Sequence, residues 1–345
     1  MQPKVSVVIL NYNTRNFLHD LLPFVLQTNY ENLEVVVADN ASSDDSCSYI
    51  EANYPQLKLI RLAENYGFAG GYNKALEQVQ ADYYVLLNSD VEVDKNWIQP
   101  LVDMALTDST IAAIQPKILD FNNRNYFEYA GASGGFIDKY GYPFCRGRIL
   151  SALEEDKGQF NDNREIFWAT GAAMFVKAEL FHSIGGLDAD FFAHMEEIDI
   201  CWRLKNAGYK IMACPASVVY HIGGGTLSKY SPKKTFLNFR NGLALLLKNL
   251  EAGKIVPVLM FRIAILDTIA ALRFLMLGEW GNFKAVLKAH FSFYSRLRYW
   301  YGKRKQVPVI KANANKVGLY KRSIVYDFFL GKKHSFDLLD QSKFL

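Results

Sequence analysis

The first third of the chain alternates short, nearly continuous apolar runs with amphipathic stretches. Runs at 5–10, 33–38, 57–62, 83–87 and 111–118 have the length and the Val, Ile and Leu content of strands. Stretches 17–27, 46–54, 71–79 and 97–106 carry apolar positions at helical spacing. Strands without polar alternation are covered on both faces, as in a parallel sheet, and strand–helix alternation implies right-handed βαβ units. Ligands of such sheets collect beyond the carboxyl ends of the strands. Asp39, Asn65 and Asp90 each follow a predicted strand, so the pattern points three polar residues at one crevice.

From 122 to 157 the pattern breaks into Gly, Tyr and Phe, with turn signals at 131–135 and 141–143 that predict an irregular insertion with a hairpin. A strand follows at 167–176, interrupted by Gly171, then a short helix at 178–184. A helix at 196–207 is stopped by Gly208, with extended runs at 209–213 and 217–220 and an amphipathic helix at 235–249. Residues 255–277 are long enough to span a bilayer but contain Arg262, Asp267 and Arg273. Each charge at mid-membrane costs roughly 2.5–3.5 kcal/mol. The expectation is a helix in the membrane interface or packed on the core, with Arg262 and Arg273, three turns apart, on one face.

Half of the 345 residues are apolar, which excludes a disordered chain. The net charge of +4 hides an asymmetry. Between 280 and 326 there are eleven Lys and Arg and no Asp or Glu, leaving 28 basic against 35 acidic residues elsewhere. A basic, aromatic-rich tail on an acidic body suggests an anionic surface as partner. Cys47, Cys145, Cys201 and Cys214 have no metal-like spacing and are expected as reduced thiols. The run at 5–10 lacks a small-residue cleavage site and reads as a first strand rather than a secretion signal.

Two acidic clusters stand far apart: Asn88-Ser89-Asp90 ends an apolar run, and Glu196-Glu197-Ile198-Asp199 follows Phe191-Phe192. A hard cation needs oxygen ligands and takes one or two carboxylates plus phosphate oxygens, which Asp90 suits; alone it is equally a turn residue. Glu196, Glu197 and Asp199 sit where a helix dipole favours carboxylates and where a general base could stand. Asp199 and Arg203 are spaced as an i, i+4 ion pair. Asp39 lies in a stretch rich in capping residues. The turn 65–71 opens a helix with glycines that let backbone N–H groups approach an anion, but it is neither a P-loop nor a dinucleotide fingerprint. His221 ends an apolar run beside glycines 223–225.

The runs 5–13, 37–44, 64–71, 87–90 and 192–201 fall in the order found in family 2 glycosyltransferases, and the chain most resembles their rhamnosyltransferase-like branch over about residues 4–250. The resemblance implies a GT-A fold: an α/β domain over 1–250, with a mostly parallel sheet flanked by helices, followed by a helical, basic, membrane-associated region over 251–345. It implies an inverting transfer of a sugar from a UDP- or dTDP-sugar to a hydroxyl of a cell-surface glycan or a polyprenyl-diphosphate-linked acceptor, with Mg2+ or Mn2+ as cofactor, at the cytoplasmic face of the membrane. By the same resemblance Asn11, Tyr12, Asp39, Asn65, Gly70, Asn73, Asn88 and Asp90 bind the donor. Asp90 and His221 reach the metal, and Trp168, Gly171 and Arg240 meet the acceptor. Glu197 takes the acceptor proton, with Glu196 as the alternative base. Two departures stand out: Asn88 occupies a common Asp position, and Glu197 replaces the usual Asp. They keep open a non-catalytic nucleotide-sugar or glycan-binding relative. The basic tail also admits nucleic acid, but no recognition motif accompanies it, and none is expected as partner.

Overall fold

A computed structural model describes residues 2–223, 231–307, 310 and 312–345; glycines 224 and 225 beside His221 lie outside them. The chain runs β1 (Val5–Asn11), α1 (Arg15–Leu26), β2 (Leu33–Asp39), α2 (Ser46–Asn53), β3 (Lys58–Arg61), α3 (Gly67–Leu76), β4 (Tyr83–Asn88), β5 (Val91–Val93), α4 (Ile98–Thr107) and β6 (Ile111–Asp120). Short strands β7 (Gly135–Asp138), β8 (Pro143–Cys145), β9 (Arg148–Ile149), β10 (Ala152–Leu153) and β11 (Arg164–Ile166) form the insertion. Then come β12 (Ala173–Lys177), α5 (Ala178–Ser183), α6 (Glu196–Asn206), β13 (Lys210–His221) and α7 (Pro232–Asn249). The C-terminal part holds α8 (Ala252–Phe261), a π-helical stretch Arg262–Asp267, α9 (Thr268–Met276), α10 (Trp280–Ser295), α11 (Leu297–Gln306), β14 (Leu319–Tyr320) and α12 (Ile324–Phe329).

Among the described residues the main sheet has nine strands in the order β11-β13-β6-β12-β4-β1-β2-β3, with β5 paired to β13. β3, β2, β1 and β4 are parallel neighbours, as are β6 and β13, whereas β12 runs antiparallel between β4 and β6. Alternation in β1 explains the layers. Val5, Val7 and Ile9 point to one core with Leu18 and Leu22 of α1 and Leu101 of α4. Val8 points to the other with Tyr72 of α3, Ile198 of α6 and Leu243 of α7. The runs expected at 209–213 and 217–220 form one strand, β13, whose register slips between Cys214 and Val218. The four cysteines are free thiols, three of them buried.

The expected boundary at 250/251 marks the start of the helical layer, and packing continues across it. β14 pairs with β7, making a second sheet β10-β9-β8-β7-β14. Phe136 and Phe144 of the insertion meet Tyr320, Phe336 and Phe344. Trp300 is fully buried against Phe191. Much of the basic tail is spent inside the fold. Lys303 pairs with Asp188 and Asp190, Arg296 lies 3.5 Å from Asp190, and Arg304 donates to the Leu247 and Lys248 carbonyls at the end of α7.

The segment Ala252–Met276 is one helix long and apolar enough to cross a membrane. Its charges do not share a face. Arg262 and Asp267 are buried, whereas Arg273 is exposed and stacks on Phe329. The π-helical turn between them, with more residues per turn, rotates the face that a uniform 3.6 spacing would predict.

Candidate active site

One cavity of about 570 Å³ opens at the carboxyl ends of β1 and β4 and receives both acidic clusters: Asn88 and Asp90 line it together with Glu196 and Glu197. Asp90 follows β4 and is buried. Across it His221, the last residue of β13, brings Nε2 to 3.2 Å from Asp90 Oδ1 and Nδ1 to 3.0 Å from Glu128 Oε2. Burial pulls His221 toward the neutral form, but the hydrogen bonds and negative charges of Asp90 and Glu128 outweigh it and hold the imidazole at about 10. Asp90 offers an oxygen ligand, and His221 Nε2 can offer a nitrogen beside it only on losing its proton, the pair then fitting a divalent cation completed by phosphate and water. No group of three His, Cys, Asp or Glu side chains with metal-holding geometry occurs among the described residues.

The acid pair opens α6. Burial raises Glu197 to about 7, and burial together with the Glu197 charge raises Glu196 well above the usual carboxylate range. One oxygen of each, Oε2, is buried without a partner. Behind them, Asp199 receives Arg203 Nε at 2.8 Å and Lys248 at 2.9 Å. Burial raises the Asp199 carboxyl, but these cations prevail and hold it at about 2.

The loop entering α6 is strained. Phe192, His194 and Met195 all have positive φ, at 64°, 69° and 76°, a conformation costing of order 1–3 kcal/mol per residue. Asn241 of α7 holds it by donating to the Phe191, Ala193 and His194 carbonyls at 3.0, 3.0 and 2.7 Å. The start of α3 holds it from the other side, where Phe68 N donates to the Phe192 carbonyl at 2.8 Å. Gly67 permits that contact: its φ is +70°, and a Cβ there would lie 2.6 Å from the Phe192 ring. The helix thus begins at Gly67 rather than at 71, and its first amides serve Phe192 instead of an anion.

Of the residues expected at the donor, Tyr12, Asn65, Asn88 and Asp90 line the cavity. Asn11 and Asp39 lie just beneath as register partners, with Asn11 Nδ2 donating to Asp39 at 2.7 Å and Ser42 N donating to its other oxygen at 2.9 Å. Gly70 and Asn73 face elsewhere. Gly70 sits over Ala189, and Asn73 exchanges hydrogen bonds of 2.7 and 2.9 Å with the Leu187 backbone. On the acceptor side Trp168 and Gly171 line the cavity. Trp168 Nε1 donates to the Phe136 carbonyl at 2.8 Å, and a Cβ on Gly171 would lie 3.0 Å from Phe68 and 3.8 Å from Glu197. Arg240 does not line it; its guanidinium binds the Asp190 and Phe191 carbonyls. Sequence reasoning missed Glu128, Tyr129, Arg148 and His194, all cavity residues. Only His194, adjoining the acid pair, carried a positional signal.

The Glycosyl transferase family 2 model matches residues 6–185, more than half of the chain. The chain belongs to that family, and its fold is of the GT-A type. It is 25% identical over 249 residues to the low-salt glycan biosynthesis hexosyltransferase Agl10 of Haloferax volcanii, covering 70% of this chain and 75% of the relative. It is 24% identical to an N-acetylglucosaminyl-diphospho-decaprenol L-rhamnosyltransferase of Mycobacterium tuberculosis, covering 64% and 76%. Two solved structures share the fold. Mannosyltransferase PcManGT of Pyrobaculum calidifontis, in complex with GDP-Man and Mn2+, has a TM-score of 0.51 at 17% identity over 89% of this chain and 85% of that one. GalNAc-T7 with UDP, GalNAc and Mn2+ has a TM-score of 0.57 at 18% identity, over 71% of this chain and only 48% of that one.

Proposed function

We propose that this glycosyltransferase moves a sugar, with inversion, from a UDP- or dTDP-sugar to a hydroxyl of a glycan carried on a polyprenyl diphosphate. The observation that carries the reading is the shared cavity: a carboxylate with an imidazolium at one strand end, and a carboxyl tuned near neutrality at the start of α6, open on one space able to hold a hexose. The nucleobase sits over the ends of β1 and β2, held by Tyr12, with Asp39 and Asn11 bracing the floor. Asp90, joined by His221 once its Nε2 gives up its proton, would hold a divalent cation, which when bound neutralises charge on the leaving diphosphate. Glu197 takes the proton of the acceptor hydroxyl as the oxygen bonds to the anomeric carbon and the bond to the diphosphate breaks. Glu196, kept protonated by burial and by its neighbour's charge, leaves Glu197 as the base. Trp168, buried with Gly135 packed against its ring, forms part of the wall on the acceptor side.

The similarity to a transferase named for a decaprenyl-linked acceptor, and the exposed apolar surface of α8 to α10, support the lipid-linked acceptor and a peripheral membrane location. Purified protein screened with UDP- and dTDP-sugars, with and without Mn2+, tests the reading. Turnover with one of them, lost in Glu197→Gln with the fold intact, is the expected result. Turnover that survives the substitution removes Glu197 as base.

A further inference from the structure

Part of the cavity wall comes from segments of the fold that hold neither acidic cluster. Tyr142, Pro143, Arg148 and Leu150 of the β8–β9 hairpin line it, together with Arg262 of the π-helical turn. Both arginines are buried, yet their charges are met differently. Arg262 lies 3.4 Å from Asp267, donates to the Tyr140 carbonyl at 2.8 Å and stacks 4.3 Å over the Tyr142 ring. Arg148 is 4% exposed and, among the described residues, forms no ion pair at contact distance; burial disfavours its charge, and the neighbouring Cys145, Tyr129 and Glu128 favour it. Its guanidinium donates to the Cys145 sulfur at 3.2 Å and to the Leu150 carbonyl at 3.4 Å and lies 4.5 Å over the Tyr129 ring, while Nε is buried without a hydrogen-bond partner. Removing a cation from water costs several kcal/mol unless a counter-charge meets it. A cavity-lining guanidinium with no carboxylate paired to it suits phosphate oxygens.

We infer that Arg148 forms an anion subsite in the acceptor part of the cavity and takes a phosphate or diphosphate carried by the acceptor. The inference rests on the transfer reaction proposed above and names the acceptor's chemistry. In the reaction proposed above the donor diphosphate sits at Asp90 and His221. The wall that carries Arg148 instead includes Arg262, whose helix turns its opposite side outward as exposed apolar surface: Met260, Phe261 and Ile265. An acceptor phosphate at Arg148 leaves an attached prenyl chain a short way along that helix to reach this surface.

The test uses full-length protein saturated with UDP or dTDP, whichever calorimetry shows to bind, and titrated with geranyl diphosphate or with geraniol. Geranyl diphosphate is expected to bind beside the nucleotide. Arg148→Gln weakens it by at least about tenfold, as loss of one side of a buried charge contact does, and Arg148→Lys falls between. Nucleotide affinity stays within about twofold in both variants. Geraniol that binds wild-type protein as tightly as geranyl diphosphate reduces the subsite to an apolar groove and overturns the inference, with no variant needed. A nucleotide affinity lost in Arg148→Gln while geranyl diphosphate is unaffected gives the residue to the donor and also overturns it. Absence of any nucleotide binding instead defeats the proposed reaction, and the geranyl diphosphate comparison still decides the subsite.

Discussion

Glu197 must be ionised to accept a proton, and burial sets its titration at about 7 against an ordinary 4.5. Turnover is therefore expected to climb as pH rises through about 7 and to level off above it; a rate flat from pH 5 to 8 contradicts the assignment. Glu197→Gln is expected to lower kcat by about 10²–10⁴-fold with nucleotide affinity retained. The same shift has a stability consequence. The folded carboxyl holds its proton to higher pH than the unfolded one, so its contribution is complete below about 4.5 and lost as pH rises through about 7. Glu197→Gln removes that loss. Its Tm is expected to nearly match wild type at pH 5 and to exceed it at pH 8, and a gap that does not widen between these pH values refutes the buried, titrating carboxyl.

At the scale of elements, the strained loop 191–195 is what aims the acid pair, and its two restraints can be removed separately. Asn241→Ala deletes three hydrogen bonds to loop carbonyls and is expected to cost about 1–3 kcal/mol and to lower kcat more than nucleotide affinity. Gly67→Ala pushes a methyl into the Phe192 ring at a left-handed position, for a further cost of about 1–3 kcal/mol. Denaturant unfolding of both, read beside kcat, checks whether the loop is held in this way. The sequence makes some of this legible and hides the rest for a definite reason. Apolar runs announce β1 to β4, and polar residues after β3 and at the end of β4 announce Asn65, Asn88 and Asp90, because a strand's end fixes where its next side chain goes. Gly70, Asn73 and Arg240 carry the same polar or glycine signature, yet Asn73 is occupied by the Leu187 backbone and Arg240 by the 190–191 carbonyls. Whether a polar residue meets ligand or loop depends on a segment more than forty residues away. Arg148 and Glu128 sit in the irregular insertion, where no periodicity assigns a direction at all.

At the scale of the molecule, the C-terminal region does two jobs that its composition conflates. Its last segment braces the insertion: Phe336 is buried among Phe136, Phe144, Phe160 and Phe344, and Phe336→Ala is expected to cost about 3–5 kcal/mol and to loosen the hairpin that carries Arg148. The helices before it present the apolar outer surface, with Ile269 57% and Phe291 76% exposed. Lys284 and Lys288 of α10 stand exposed beside Leu287 and Phe291, and Arg298 follows on α11. Cations of this kind contribute about 1 kcal/mol each toward an anionic bilayer and are screened by salt, whereas inserted apolar side chains are not. The arrangement therefore predicts two separable parts of membrane binding. Wild-type protein should sediment with phosphatidylglycerol vesicles, partly released by 0.5 M salt, the concentration chosen to shrink the screening length to roughly 4 Å. Ile269→Glu combined with Phe291→Glu should abolish the salt-resistant part while leaving Tm and turnover on a soluble short-chain acceptor unchanged, because both side chains already face solvent. Equal sedimentation of variant and wild type would mean that the bilayer meets another surface, and release of all wild-type protein by salt would leave the charges as the whole attraction.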